Sequence, residues 1–341
     1  MQGRTAPAGS TENRTTEPTA NQDHTKPSRL EASPHLEALL PSSMLRLLPA
    51  PLLGVLSSLL VALNTAFWGI PLLLLALVKL VLPFNAVRKP VDKVLNGLAN
   101  SWVRCNSVWI DWTRRDAWDV QGCDALLEGG WYLVNCNHNS WVDIFVLQKV
   151  LNRRTPFLKF FLKQELIYVP LIGLVWWALD FPFMKRHSLS ALKKNPALRL
   201  QDLETTKRSC ERFALVPTSV MNFAEGTRRT PAKHAAQQSP FRHLLKPKAG
   251  ALALALNVMG DQFRALLDVT IVYPDGTPSY WDLACGRAGR VVVRVQERSI
   301  PQDLSGGDYS GDVAYRQRFQ AWLGLMWLEK DGLIESLLKR P

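Results

Sequence analysis

Hydrophobic and polar positions along this chain fall into three regimes. Residues 1–43 show no hydrophobic period and are rich in Thr, Ser, Pro, Asn and Glu, the composition of a disordered polar tail. Met44, directly ahead of the first apolar run, is a plausible start. From Leu47 to Val78 no charged residue interrupts the chain, and about 20 apolar residues suffice to cross a bilayer. The run predicts one of two membrane arrangements. One is a single tilted span bent at Pro71; the other is two shorter helices that dip into one leaflet and return, turning at Asn64-Thr65 or at Gly69 to Pro71.

Beyond the run, residues 84–116 read as a helical connector, with Leu95, Leu98, Trp102, Cys105 and Trp109 spaced as one buried face. From about Ala117 short apolar runs alternate with longer helical stretches. Strands are predicted at Trp131–Asn135, Ala178–Met184, Ser219–Ala224, Val269–Tyr273 and Val291–Val295. Helices are predicted at Val142–Leu151, Asp202–Phe213, Lys248–Met259 and Tyr315–Leu338. That alternation predicts an α/β domain with a mixed, largely parallel sheet. The chain therefore divides into a tail (1–43), a membrane-anchoring helical segment with its connector (44–116) and one α/β domain (117–341).

Charge changes the picture in one respect. The chain carries +12, and the tail contributes −1, so the remainder holds +13. Such an excess favours an anionic partner: a membrane surface, a phosphorylated substrate or nucleic acid. Lys79, Arg88, Lys89 and Lys93 follow the apolar run, while only Arg46 closely precedes it, which places the C-terminal part on the cytoplasmic side. The five cysteines, Cys105, Cys123, Cys136, Cys210 and Cys285, are scattered and odd in number. They argue against a zinc site and a disulfide framework, and for a reducing compartment.

The stretch Trp131–Leu147 holds the first candidate chemistry. An apolar run stops at Asn135-Cys136-Asn137-His138-Asn139-Ser140, and Asp143 opens the next one. Polar residues just after a buried strand lie at the carboxyl end of the sheet, where reaction sites collect. There His138 can act as general base, with Asp143 on the first turn of the next helix holding its ring. A loop histidine beside a capping aspartate is an equal reading on this stretch alone, because His-x4-acid spacings are common by chance. The second constellation, Met221–Thr230, ends a strand in Glu225-Gly226-Thr227-Arg228; glycine, hydroxyl and guanidinium suit phosphate oxygens. The third ends in Arg186 after an apolar run. Alone, each of these is as well read as a polar turn or a solvated strand end.

Together and in this order they resemble the phospholipid glycerol-acyltransferase family, especially the bacterial 1-acylglycerol-3-phosphate acyltransferases. Asn137 to Asp143 fits the N-H-x-S-x-x-D block. Lys163-Gln164-Glu165-Leu166, Pro170 and Gly173 fit the K-x-E-L, P and G that follow. Arg186 fits the arginine of the second block, and Phe223 with Glu225–Arg228 fits F-P-E-G-T-R, with Ala224 in place of proline. Lys248-Ala249-Gly250 fits the later K-x-G, and Val269–Pro274 falls at the fourth block. The resemblance spans roughly residues 50–300 and looks closest to the YihG-type branch. Departures lie in the second block, where Asp180 replaces a glycine, Pro182 an isoleucine and Lys185 an aspartate, and in the fourth, where Thr270 replaces proline.

The resemblance implies a glycerol-acyltransferase-like domain on a bacterial inner membrane, facing the cytoplasm. The implied reaction moves an acyl group from acyl-CoA or acyl-ACP to the free hydroxyl of 1-acylglycerol-3-phosphate. His138 and Asp143 would be catalytic. Arg186, Glu225, Gly226, Thr227 and Arg228 would bind the acceptor's phosphate, with Glu225 positioning Arg228 or a backbone amide. No metal or cofactor is implied. Another lysophospholipid or a lyso-aminolipid is the alternative acceptor. A membrane-tethered protein binding nucleic acid is a weaker reading, since no DNA or RNA module signature accompanies the charge.

Overall fold

A computed structural model of the chain describes residue 45 and residues 47–82, 84–184, 204, 211 and 215–339. The predicted tail, the predicted helix at Asp202–Phe213 apart from Glu204 and Glu211, and Arg186 lie outside the described residues.

The apolar run forms one helix, α1 (Ala50–Val81), which continues through Asn64-Thr65 and through Pro71. The pair of short helices is therefore not what the chain forms. The polar residues expected at a turn are held within the helix or by its neighbour. Thr65 donates to Val61 O at 2.7 Å, and Asn64 donates to Trp102 O at 3.1 Å and Asn106 Oδ1 at 2.8 Å. The last two partners belong to α2 (Asn85–Thr113), which packs along α1. Leu53, Gly54, Ser57, Gly69, Leu72, Ala76 and Lys79 form the buried face of α1. At 1.5 Å per residue that face runs about 40 Å. The other face is apolar and exposed, with Leu59, Leu63, Phe67, Ile70, Leu74 and Leu77 all at least half accessible. In α2, Leu95, Trp102 and Trp109 are buried as the stripe predicts. Cys105 is exposed instead: ten residues past Leu95, it has rotated off the face that Ala99, Trp102 and Asn106 bury.

The α/β part follows as β1 (Trp118–Gln121), β2 (Tyr132–Cys136), α3 (Val142–Leu151), β3 (Leu158–Phe160), β4 (Leu162–Lys163), α4 (Ile172–Ala178), β5 (Phe183–Met184), β6 (Ser219–Phe223), α5 (Pro231–Gln237), α6 (Gly250–Met259), β7 (Ala265–Val272), α7 (Tyr280–Ala284), β8 (Val291–Arg298) and α8 (Val313–Leu338). Six strands form one sheet in the order β1-β8-β7-β2-β6-β3; β4 and β5 pair separately. Within the six, β7 and β8 are antiparallel and every other pair is parallel. Side chains alternate across the sheet with period two. Tyr132, Val134, Met221, Leu267 and Val269 join the core under α1–α4, while Leu133, Val220, Leu266 and Val272 join the core under α6 and α8.

The predicted strand Ala178–Met184 is a correction. Ala178 ends α4, and only Phe183–Met184 is strand. Ile172, Val175, Trp176 and Leu179 pack on the core at helical spacing. The helix stops because Asp180 takes φ +57°, and Phe181 N donates back to Trp176 O at 2.9 Å. That is the left-handed ending in which glycine is usual.

Candidate active site

The carboxyl ends of β2, β6 and β7, three adjacent parallel strands, supply the site. After β2 the chain turns into a short loop, pinned from both sides of Asn137. Its amide donates to Ile271 O at 2.8 Å, and its carbonyl accepts from Ile271 N at 2.9 Å. A side chain thus completes the ladder between β2 and β7 where β2 ends, and it fixes the start of the loop that carries His138.

His138 Nδ1 lies 2.8 Å from Asp143 Oδ2. Asp143 is completely buried in the first turn of α3, and the same oxygen accepts from Asn139 N at 2.7 Å and Ser140 N at 2.9 Å. Asp143 therefore organises both the ring and the loop that presents it. Ser140 donates to Pro278 O and accepts from Val142 N, tying the loop to the chain beyond β7. The imidazole stacks on Phe223, with centroids 3.9 Å apart and planes 14° from parallel. The His138 side chain keeps 15% accessibility. No partner for its Nε2 occurs among the described residues. A ring held at Nδ1 by a carboxylate and open at Nε2 is set to accept a proton there.

The loop after β6 docks on this unit. Glu225 is fully buried; its Oε1 accepts from His138 N at 2.8 Å and its Oε2 from Leu245 N at 3.1 Å. Both oxygens are thus engaged with backbone: of the two expected partners, Arg228 or a backbone amide, Glu225 holds backbone amides, one of them that of His138. Burial raises its pKa to about 7, against the lowering pull of those two amides. Arg229 N donates to His138 O at 2.8 Å, which locks the two loops together. Gly226 takes φ +68°, and Lys248 lies against it. Thr227 Oγ accepts from Lys233 Nζ at 2.7 Å. The exposed Arg228 places its guanidinium over the face of Trp141, 5.0 Å from the ring centroid.

The structure thus brings together His138, Asp143, Glu225, Gly226, Thr227 and Arg228, while Arg186 lies outside the described residues. Sequence reasoning missed Asn137's clamp, Lys233, Trp141 and Tyr273, whose hydroxyl donates to Asp143 Oδ1 at 2.6 Å. For Tyr273 a signal existed, since it directly follows a strand whose carboxyl end faces the site.

Residues 118–274 match the family model described as Acyltransferase. The human 1-acyl-sn-glycerol-3-phosphate acyltransferase gamma is 27% identical over 216 residues, 58% of this chain and 51% of that protein. The mouse delta enzyme is 25% identical over 221 residues, 60% of this chain and 52% of that protein. The chain spans about half the length of the curated relatives it matches. The crystal structure of the 1-acyl-sn-glycerophosphate (LPA) acyltransferase PlsC from Thermotoga maritima aligns over 82% of this chain and 99% of that one, at 17% identity and a TM-score of 0.42.

Proposed function

From this acyltransferase domain, built around a histidine open at Nε2, we propose a membrane-bound 1-acylglycerol-3-phosphate acyltransferase. It transfers a fatty acyl group from acyl-CoA or acyl-ACP to the free sn-2 hydroxyl, giving phosphatidic acid. The observation that carries the reading is the His138–Asp143 pair at the end of β2, with Nδ1 held and Nε2 open. Nε2 takes the hydroxyl proton as the oxygen attacks the thioester carbonyl. The tetrahedral intermediate collapses with loss of the thiolate, which takes the same proton back from the imidazolium. Asp143 keeps Nδ1 protonated and stabilises the transient charge. Arg228 and Thr227, with Arg186 of the second block, hold the phosphate of the acceptor.

The apolar outer face of α1 supports a membrane seat, since a lysophospholipid stays in the bilayer. Because the other face of α1 is buried along about 40 Å, we read the helix as lodged in the bilayer together with the body of the protein, on the cytoplasmic face of a bacterial inner membrane. The test is acyl transfer by the detergent-purified full chain to 1-acylglycerol-3-phosphate, and to lysolipids without a phosphate monoester. Transfer that requires the monoester is expected. His138→Ala should lower kcat by about 10²–10⁴-fold in protein that still folds. Near-normal turnover in that variant removes His138 as the base, and equal use of all lysolipids moves the protein to another acceptor.

A further inference from the structure

Tyr273 stands one residue beyond β7, 6% exposed, and donates to the one oxygen of Asp143 that His138 does not use. The two carboxylate oxygens are thus held from opposite sides. Oδ2 faces the imidazole and two loop amides, and Oδ1 faces the phenol. We propose that Tyr273 is a positioning residue for the transfer reaction, acting on His138 through Asp143. It fixes the plane of the carboxylate, and hence of the imidazole. It also draws negative charge toward Oδ1, away from the imidazole proton. The kinetic part of this inference rests on the acyl-transfer reading; the hydrogen-bond chain from Tyr273 to Asp143 to His138 does not.

The plainer account is a buried hydroxyl paired with the nearest acceptor, contributing stability and nothing else. Two features favour the stronger one. The bond ends on the carboxylate that orients the base, and Tyr273 stays a donor: burial, then the charge of Asp143, pushes its ionisation well above the ordinary tyrosine value. Other titratable groups also face this unit. Glu225 lies at the end of β6, Cys136 on β2, Asp268 on β7 and Lys330 on α8. Among the described residues none of these four hydrogen-bonds to Asp143. Their charges are common to wild type and variants, so a difference between variants isolates the phenol.

The experiment compares wild type, Tyr273→Phe and a ring-fluorinated tyrosine at 273 in the full chain in detergent, with acyl-CoA and 1-acylglycerol-3-phosphate. Tyr273→Phe should lower kcat roughly ten- to a hundredfold, the range of a hydrogen bond to a charged group, with both KM values within about twofold. Its acidic kcat limb should move to higher pH, because a carboxylate without the phenol holds the imidazole proton more firmly. The fluorinated ring keeps the hydroxyl as a stronger donor and should move the limb to lower pH. In ¹⁵N-histidine-labelled protein, the Nδ1–H resonance of His138 should shift in opposite directions in the two variants. A fallen kcat with an unmoved limb and an unmoved resonance reduces Tyr273 to packing and overturns the proposal. A rise in acceptor KM alone overturns it too, by placing the phenol on substrate. If wild type acylates no lysolipid, the acyl-transfer reading fails, and the resonance still decides the role of Tyr273.

Discussion

At the strand ends, His138, Asp143 and Glu225 meet without a lysine or arginine side chain hydrogen-bonded to any of them among the described residues. Where α1, α2 and the end of α4 meet, Lys79 lies 2.8 Å from Asp92 and also pairs with Asp180, and Arg88 reaches Asp180 at 3.5 Å. Lys159, buried on β3, sits in the field of both carboxylates, yet burial still lowers its pKa to about 8. The junction satisfies charge with opposite charge. The site satisfies charge with backbone amides and a phenol. Lys79 has its ammonium partnered by Asp92, Asp180 and the carbonyl of Ala178, whereas around Asp143 and Glu225 amides and a hydroxyl fix the orientation of each carboxylate. In the second arrangement His138 Nε2 has no partner among the described residues and keeps a lone pair for substrate.

The junction should respond the more strongly in stability. Asp180→Asn keeps a side chain suited to φ +57° but removes the charge that Lys79 and Arg88 share. Breaking one side of a buried ion cluster costs about 3–5 kcal/mol. Thermal unfolding in detergent should show that loss, with turnover per folded molecule within about twofold of wild type. Asp180→Gly separates charge from backbone. Glycine is at ease at this φ but loses more entropy on folding, and these opposed effects are each about 1 kcal/mol. The two variants should therefore match closely. A large recovery in the glycine variant would mean that backbone strain, not charge, governs the junction. A loss of turnover without a loss of stability would make the junction part of the site and dissolve the contrast.

Asp180 also shows what the sequence could carry. Its position reads as a departure from the acyltransferase pattern, and in this chain the backbone there is left-handed, a conformation that glycine adopts freely. Its partner Lys79 lies 101 positions earlier, at a distance no local pattern conveys. The same limit applies to Tyr273, 130 positions from Asp143. By contrast, His138 and Asp143 are legible because they are five positions apart, on one loop and the first helical turn after it. The strands β2, β6, β7 and β8 were legible from their runs of buried residues. The three-residue β3 and the half-exposed β1 were not, because strands that short or that open to solvent leave no period to read. For α4 and β5, the apolar run at residues 178–184 suggested one strand, whereas a helix end, a turn and a two-residue strand occupy that length.

Arg228 tests the open side of the contrast. Its guanidinium is exposed and stacked on Trp141, with no carboxylate partner among the described residues. Arg228→Lys keeps a cation near the indole but loses the planar fork that can hold two phosphate oxygens. The acceptor's KM should rise about ten- to a hundredfold, as expected for charge-assisted hydrogen bonds, with the donor's KM nearly unchanged. Substrate titrations against each partner check this. Weakening of the donor alone would place Arg228 at the thioester side of the site.

Glu225 is the group that fits the contrast least well, and it should give the smallest effect. It is a fully buried carboxylate held, among the described residues, by the amides of His138 and Leu245, with its pKa raised by burial to about 7. The sign of the linkage follows. In the unfolded chain the group ionises near its ordinary value of 4.5, while in the folded chain it keeps its proton until about 7. Between those values the folded state binds more protons, so stability falls as pH rises through the window. Wild type should lose a few degrees of Tm between pH 5 and pH 7, since about 1 kcal/mol moves Tm by a few degrees in a chain of this size. Glu225→Gln cannot ionise and should flatten that slope. Its amide can offer an oxygen to only one of the two backbone donors, so its Tm should be lower at pH 5 and the gap should narrow toward pH 7. An identical slope in the glutamine variant would mean that Glu225 is already charged at pH 5. The two amides would then outweigh burial, and backbone donors would match the cations of the junction in holding a buried charge.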